Sequence, residues 1–234
     1  MKIKAFTLAE VLVTLTIIGV VSSMTVPTLM FNYKEKQAVT GVKKIYSILA
    51  EAVKLAELEN GEANTWDVGQ RDTYEGSKKV AEYIMPYLKI EKDCGNKSGC
   101  FYSGTYKNLK GKAYPWQFDT YNLYHKVKLT NGMSLAFWSP GNEYCAQNNK
   151  QCGSVIFDIN GAAAPNHVGV DVFMLTIGIG KVYPVRINNN GTLGEWGEDC
   201  SFSGTTPANG IFCSGWVMMK ENLDYLKHEI KWDE

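Results

Sequence analysis

Glu10 is a carboxylate set at the head of an apolar run that extends from Val11 to Val21. A charge near the start of a membrane-length helix is costly, so it is expected to be functional and to have a partner. A cut between Ala5 and Phe6 would create that partner, because the new terminus is a positively charged amine. Glu10 lies four residues further on. A neighbouring helix, shifted along its axis, brings a second amine to it. Opposite charges in a low-dielectric layer attract far more strongly than in water. An unpaired carboxylate there costs several kcal/mol, so such pairing would set the register between subunits. The alternative is a Glu10 that snorkels to the headgroups.

Three other groups of residues have chemical potential. The segment from Asp158 to Asp171 concentrates oxygen donors: Asp158, Asn160, Asn166 and Asp171. With backbone carbonyls they could supply the six or more oxygens that Ca²⁺ takes. The segment lacks the spacing and closing Glu of an EF-hand. The favoured reading is a plain turn in which Asp158 and Asn160 bond their own backbone and Gly161 takes a positive φ. The six cysteines pair by proximity as Cys94 with Cys100, Cys145 with Cys152, and Cys200 with Cys213. An even count beyond an export signal reads as disulfides that pin surface loops in an oxidising compartment. The closer Cys-x-x-Cys spacing of a metal site is absent. His125, His167 and His228 are the three histidines, each expected as a solvated surface residue. No nucleophile–base constellation accompanies them, so no enzyme is expected. Gly178-Ile179-Gly180-Lys181 is a fragment of a phosphate loop without its full spacing, and reads as a tight turn. Trp138, Trp196 and Trp216 lie near loop cysteines and could form a sticky surface, or else core and cross-strand pairs.

The elements that hold these residues follow from patterning. The chain has 234 residues, 45% of them hydrophobic. Setting the anchor aside leaves roughly 175 residues, enough for one soluble domain with a proper core. Basic and acidic side chains number 24 each. That balance gives no global pull towards nucleic acid, and none is expected as a partner. Lys2 and Lys4 precede the apolar run, so the N-terminus is expected to stay cytoplasmic. Phe6 to Phe31 spans about 39 Å as a helix, enough for a bilayer. Val39, Val42, Ile45, Tyr46, Leu49, Val53 and Ala56 then recur at spacings of three and four, which predicts an amphipathic continuation. Asn60-Gly61 is the stop signal. Gly19 weakens the helix, and Pro27 predicts a kink or local melting.

Residues 61–76 read as a polar loop, and Ser77 to Leu88 as a short helix capped by Ser77. From Tyr121 the pattern becomes β: Leu123–Leu129, then Asn131-Gly132 as a hairpin turn, then Met133–Trp138. Ser154–Phe157, Val170–Ile177 and Val182–Ile187 follow. An antiparallel sheet of four or five strands under a long helix is an α+β fold. The region from Trp216 to Leu226 is apolar and of unassigned type.

The segment Phe6-Thr7-Leu8-Ala9-Glu10, the apolar run with Gly19, and Pro27 near its end resemble the type IV pilin and pseudopilin family, with its prepilin leader. The resemblance covers about the first eighth of the chain. It departs from the family at Ala5, where Gly is usual before the cut. It implies a leader at 1–5, N-methylation of Phe6, a transmembrane and filament-core helix at 6–31, its amphipathic continuation at 32–60, and an α+β head at 61–234. Glu10, Gly19 and Pro27 become assembly residues. The order of the later segments is similar to that of minor pilins and type II secretion pseudopilins. Some pseudopilins carry calcium in a late loop of the sheet, which supports the Asp158–Asp171 reading. The implied partners are a prepilin peptidase, an assembly ATPase with its inner-membrane platform, and other pilins in a homo- or hetero-polymer. The implied place is the inner membrane, then a periplasmic pseudopilus or a surface pilus. The leading expectation is a structural filament subunit. The others are a minor tip subunit acting as an adhesin or ligand-binding module, and an exported or anchored domain of unknown activity. A cluster of exposed aromatics beside the Cys145 or Cys200 loop would favour the tip subunit.

Overall fold

A run of apolar residues that changes from all-round to one-sided hydrophobicity forms a single helix, α1 (Leu8–Asn60), in the computed structural model. The structure describes residues 7–148, 151–184 and 200–232. It divides into two units, residues 1–37 and 38–234.

In the first unit, every residue from Thr7 to Met30 is exposed. The apolar stretch reaches a mean hydropathy of 1.9 and is long enough to cross a membrane. Its hydroxyls bond back to their own helix: Thr14 to the carbonyl of Val11 at 2.9 Å, Thr16 to Leu12 at 2.8 Å, Ser23 to Val20 at 2.7 Å, and Thr25 to Val21 at 3.0 Å. These four hydroxyls are thereby satisfied without water, as suits a lipid or filament core. The helix runs unbroken through Pro27, so the local melting expected there does not occur.

In the second unit the buried stripe of α1 is Ala38, Gly41, Val42, Ile45, Leu49, Ala52, Val53 and Ala56. The predicted Val39 and Tyr46 are half-buried at its border. Gly41 lets a neighbour come close, since an added Cβ would lie 2.8 Å from a methyl of Ile159. α1 ends where expected. Asn60 Nδ2 donates to the carbonyl of Ala56 at 2.9 Å, and Gly61 takes a left-handed φ of 81°.

The helix packs on an antiparallel sheet of six strands in sequence order: β1 (Ile90–Gly95), β2 (His125–Leu129), β3 (Ser134–Trp138), β4 (Gly153–Asp158), β5 (Val172–Gly178) and β6 (Lys181–Pro184). Leu135 pairs with Phe157, and Phe157 with Phe173, which fixes one face of the sheet. α2 (Tyr74–Ile84) covers part of that face so closely that a Cβ on Gly153 would lie 2.7 Å from Val80 Cγ1. The opposite face presents Ala136, Ile156 and Met174. It is roofed by aromatic residues of the segment before β2, among them Tyr106, Tyr114 and Phe118. Residues 131–132 make the predicted hairpin turn, with Gly132 at φ 87° and Met133 N donating to Asn131 Oδ1 at 3.0 Å.

Several elements differ from expectation. β1 is an edge strand whose central residues are exposed, so no alternation marks it. α2 begins at Tyr74 under a Thr73 cap, with Gly76 N donating to Thr73 Oγ1 at 3.1 Å, and Ser77 is buried inside the helix. A short helix, α3 (Asn142–Asn148), occupies the Cys145 loop, and α4 (Ser214–Lys220) with a turn at Asp224–Leu226 fills the unassigned C-terminal region. Of the expected strand Val182–Ile187, residues 185–187 lie outside the described residues.

β2 does not alternate because Lys126 is buried. Its Nζ donates to the carbonyls of Asn96 at 3.0 Å, Asp119 at 2.7 Å and Tyr121 at 3.2 Å. Burial lowers its pKa, yet three acceptors use all three ammonium donors. The side chain ties the Cys94–Cys100 loop to residues 119–121. Lys126→Met would leave those carbonyls without their donor, and is expected to cost about 3 kcal/mol in denaturant unfolding.

Candidate functional site

At the N-terminus, a Thr three residues before a Glu makes a reciprocal cap. Glu10 Oε2 accepts from the backbone N–H and the hydroxyl of Thr7, both at 2.8 Å. Glu10 N donates to Thr7 Oγ1 at 3.3 Å. This is a capping box. Glu10 therefore has a partner within its own chain besides the expected amine, and its sequence signal is Thr7-x-x-Glu10. Ala5 and Phe6 lie outside the described residues. Gly19 is exposed, with nothing within 4 Å of an added Cβ. Pro27 is exposed as well.

The second site is the connection between β4 and β5. Asp158 ends β4 and Asp171 immediately precedes β5, so antiparallel pairing brings them to the same end of the sheet. Both are buried, at 0% and 2% exposure. Asp158 Oδ2 accepts from the Tyr106 hydroxyl at 2.7 Å, and Oδ1 from Asn160 N at 3.1 Å. Asp171 accepts from Asn166 N and His167 N, each at 2.7 Å. Burial, with the Asp171 charge adding to it, pushes the Asp158 carboxyl up to about 8. Burial pushes Asp171 up to about 6, against the lowering pull of the His167 and Asn166 amides. Among the described residues no cation forms an ion pair with either carboxylate.

The turn geometry expected here is present, since Asn160 N bonds Asp158 and Gly161 has a φ of 63°. A turn does not account for two further atoms. Asn160 Oδ1 and Asn166 Oδ1 are buried oxygens without a hydrogen-bond partner. Two buried carboxylates and two orphaned amide oxygens form a donor set of the hard-oxygen type that calcium takes. Among the described residues no three His, Cys, Asp or Glu side chains converge on a metal-sized site. A cation here would thus lean on the two amides. Tyr106 completes the site from 52 residues away and carried no signal in the sequence.

The remaining candidates are structural. Disulfides join Cys94–Cys100, Cys145–Cys152 and Cys200–Cys213. The turn at Ile179-Gly180 is tight, and Gly180 N donates to the Glu57 carboxylate at 2.8 Å, occupying the amide a phosphate would need. His125 is a correction: it is buried beneath Tyr74, with Nε2 2.9 Å from Asp93 Oδ1, because it begins a central strand. His228 is exposed. Trp138 is half-buried on the open face of the sheet and Trp216 is buried, so they do not form one surface. Trp196 lies outside the described residues.

Residues 28–178 match the model of a family described as Family of unknown function (DUF6613). The chain belongs to that family. Residues 1–26 match the prokaryotic N-terminal methylation motif. With the exposed apolar helix, that motif is the prepilin leader, and the DUF6613 chain is a type IV pilin-like, or pseudopilin-like, subunit of α+β architecture. The leader carries with it processing by a prepilin peptidase, anchoring in a membrane and assembly with other pilins. No curated protein matches the chain. No solved structure matches it either.

Proposed function

We propose that the chain is cut after Ala5, N-methylated at Phe6, and built into a filament as a structural subunit rather than an enzyme. The observation that carries this reading is the methylation motif at residues 1–26, followed by a helix exposed throughout residues 7–30 whose one charge is Glu10. In the filament, residues 6–31 form the core, and Glu10 exchanges its Thr7 contacts for the Phe6 amine of a neighbouring subunit. The head faces outward in a pilus or secretion pseudopilus, supplied through an inner-membrane platform and its ATPase. Co-expression with a prepilin peptidase is expected to remove residues 1–5, and Ala5→Lys to block the cut. A chain whose length ignores the peptidase would sink the proposal.

A second reading concerns calcium. We propose that Asp158, Asp171, Asn160 and Asn166 hold a Ca²⁺ ion, favoured by the two orphaned Asn oxygens. The ion would supply positive charge to the buried carboxylates and fasten the β4–β5 connection, with no part in catalysis. Millimolar calcium is expected to raise the melting temperature of the chelator-treated chain at pH 8. Equal effects of calcium and magnesium, or none of either, would remove the ion.

A further inference from the structure

Among the described residues, the open face of the sheet is not fully roofed. Two cavities, of about 600 Å³ and 250 Å³, meet there and share Arg71, Trp138, Met174 and Phe212. The larger also holds Trp116 and Tyr121. Volumes of this size suit a small-molecule or oligomer ligand. Three of the rings, Tyr121, Trp138 and Phe212, pack on the core and are not fully covered by it. Trp116 is 40% exposed, and Trp138, Tyr121 and Phe212 are half-buried. The cleft lies between the Cys145 loop, which contributes Tyr144 to the smaller cavity, and the Cys200–Cys213 loop, which contributes Phe212.

The aromatic platform is held in place before any ligand arrives. Trp138 Nε1 donates to Asp72 Oδ1 at 2.8 Å. The Arg71 guanidinium sits 5.8 Å from the Trp138 ring centroid, and its Nε is 3.3 Å from Asp72 Oδ2. Tyr121 packs against Tyr124, with centroids 4.8 Å apart. Asp72 adopts a left-handed φ of 54° to reach this position. A non-glycine residue in that region marks a backbone held by its surroundings, and such strain clusters at ligand clamps.

The chemistry of the lining narrows the occupant. A strand-forming peptide needs a sheet edge, and this cleft lies on the face of strands β3 to β5. Nucleic acid needs a track of cations, and Arg71 is the cation named in the lining of both cavities. A purely apolar ligand makes no use of the carboxylate and guanidinium pair beside the rings. A pyranose ring uses both kinds of surface. Its apolar C–H face stacks on an aromatic ring, and its vicinal hydroxyls match a carboxylate acceptor and a guanidinium donor. We propose that this cleft is a binding site for a neutral oligosaccharide. Trp116, Trp138 and Tyr121 are its platforms, and Asp72 and Arg71 its hydroxyl contacts. The proposal goes beyond filament assembly and does not depend on it.

The test uses the full chain in detergent against maltohexaose, cellohexaose and chitohexaose, followed by tryptophan fluorescence and calorimetric titration. At least one probe is expected to bind saturably, with a dissociation constant below about 1 mM. Trp116→Ala, at an exposed position, is expected to weaken binding about tenfold or more with the melting temperature unchanged. Asp72→Asn should weaken it as well. Failure of all three sugars to bind would overturn the proposal. Binding that Trp116→Ala leaves unchanged would do so too, as would tighter binding of single-stranded DNA or of a peptide. Uncut Ala5→Lys chain should bind the sugar as well as processed chain, which separates this result from the filament reading.

Discussion

Glu10→Leu is expected to leave the chain in the membrane and remove it from filaments. The substitution makes the helix more apolar, so insertion should not suffer. It removes the one charge in the exposed, mostly apolar stretch of residues 7–30. In the assembled core a neighbour's terminal amine would then lie unpaired at low dielectric. An orphaned buried charge costs about 3–5 kcal/mol, which corresponds to a loss in assembled material on the order of a hundredfold or more. Immunodetection in sheared surface or periplasmic filament fractions measures it. The capping box supplies a control, because Thr7→Ala removes the two contacts of Glu10 that use the hydroxyl, keeps the backbone one, and keeps the charge. Losing a cap costs about 1 kcal/mol, so Thr7→Ala should assemble far better than Glu10→Leu. Equal defects would reduce Glu10 to a helix cap.

The second large effect is on stability, at the β4–β5 connection. In chelator, the chain is expected to lose stability as pH rises from 5 to 8. The carboxyl of Asp158 stands at about 8 in the fold against an ordinary 3.8, chiefly through burial. A raised acid is protonated when folded and ionised when unfolded, so the unfolded state binds fewer protons above pH 4. The stability is complete below about pH 4 and is lost as pH climbs through about 8. Asp171, raised to about 6, adds to the lower part of that window. By pH 8 the loss relative to pH 5 is about 5 kcal/mol, or on the order of 10–20 °C in melting temperature. Tyr106, whose hydroxyl faces Asp158, stays a neutral donor throughout because burial raises its own pKa. With saturating calcium the carboxylates are compensated, and the slope should flatten. Asp158→Asn keeps an acceptor for Tyr106 and removes the charge, so it should flatten the slope between about pH 6 and 8, leave the Asp171 part below it, and abolish the response to calcium. A flat profile in chelator would contradict this account of the site.

Local patterns carried far along this chain. The three-and-four spacing from Val42 to Ala56 specified which side of α1 would be buried, and Asn131-Gly132 specified a hairpin whose register placed Leu135 opposite Val127. The elements missed are those whose reasons are tertiary. β1 shows no alternation, because an edge strand with three exposed central residues looks like a loop. Lys126 and His125 were buried against type, since Lys126 meets carbonyls of the Cys94–Cys100 loop and of residues 119–121, and His125 meets Asp93 on the neighbouring strand. The acidic and amide residues of the β4–β5 connection were legible as oxygen donors. Their burial was not, because it depends on Tyr106 and the aromatic roof. Trp138 and the two cysteine loops foreshadowed the cleft, but not its walls, because these gather residues as far apart in sequence as Arg71, Trp116, Met174 and Phe212.

The central functional claim is that this is a processed filament subunit. The mass of the N-terminal peptide of the mature chain, taken from membranes and from sheared surface material, tests it most directly. The account predicts a peptide that begins with N-methylated Phe6, present in both fractions for a surface pilus and in the membrane fraction for a periplasmic pseudopilus. A peptide that begins near Met24, or one that retains Met1, would contradict it and leave an exported or anchored domain.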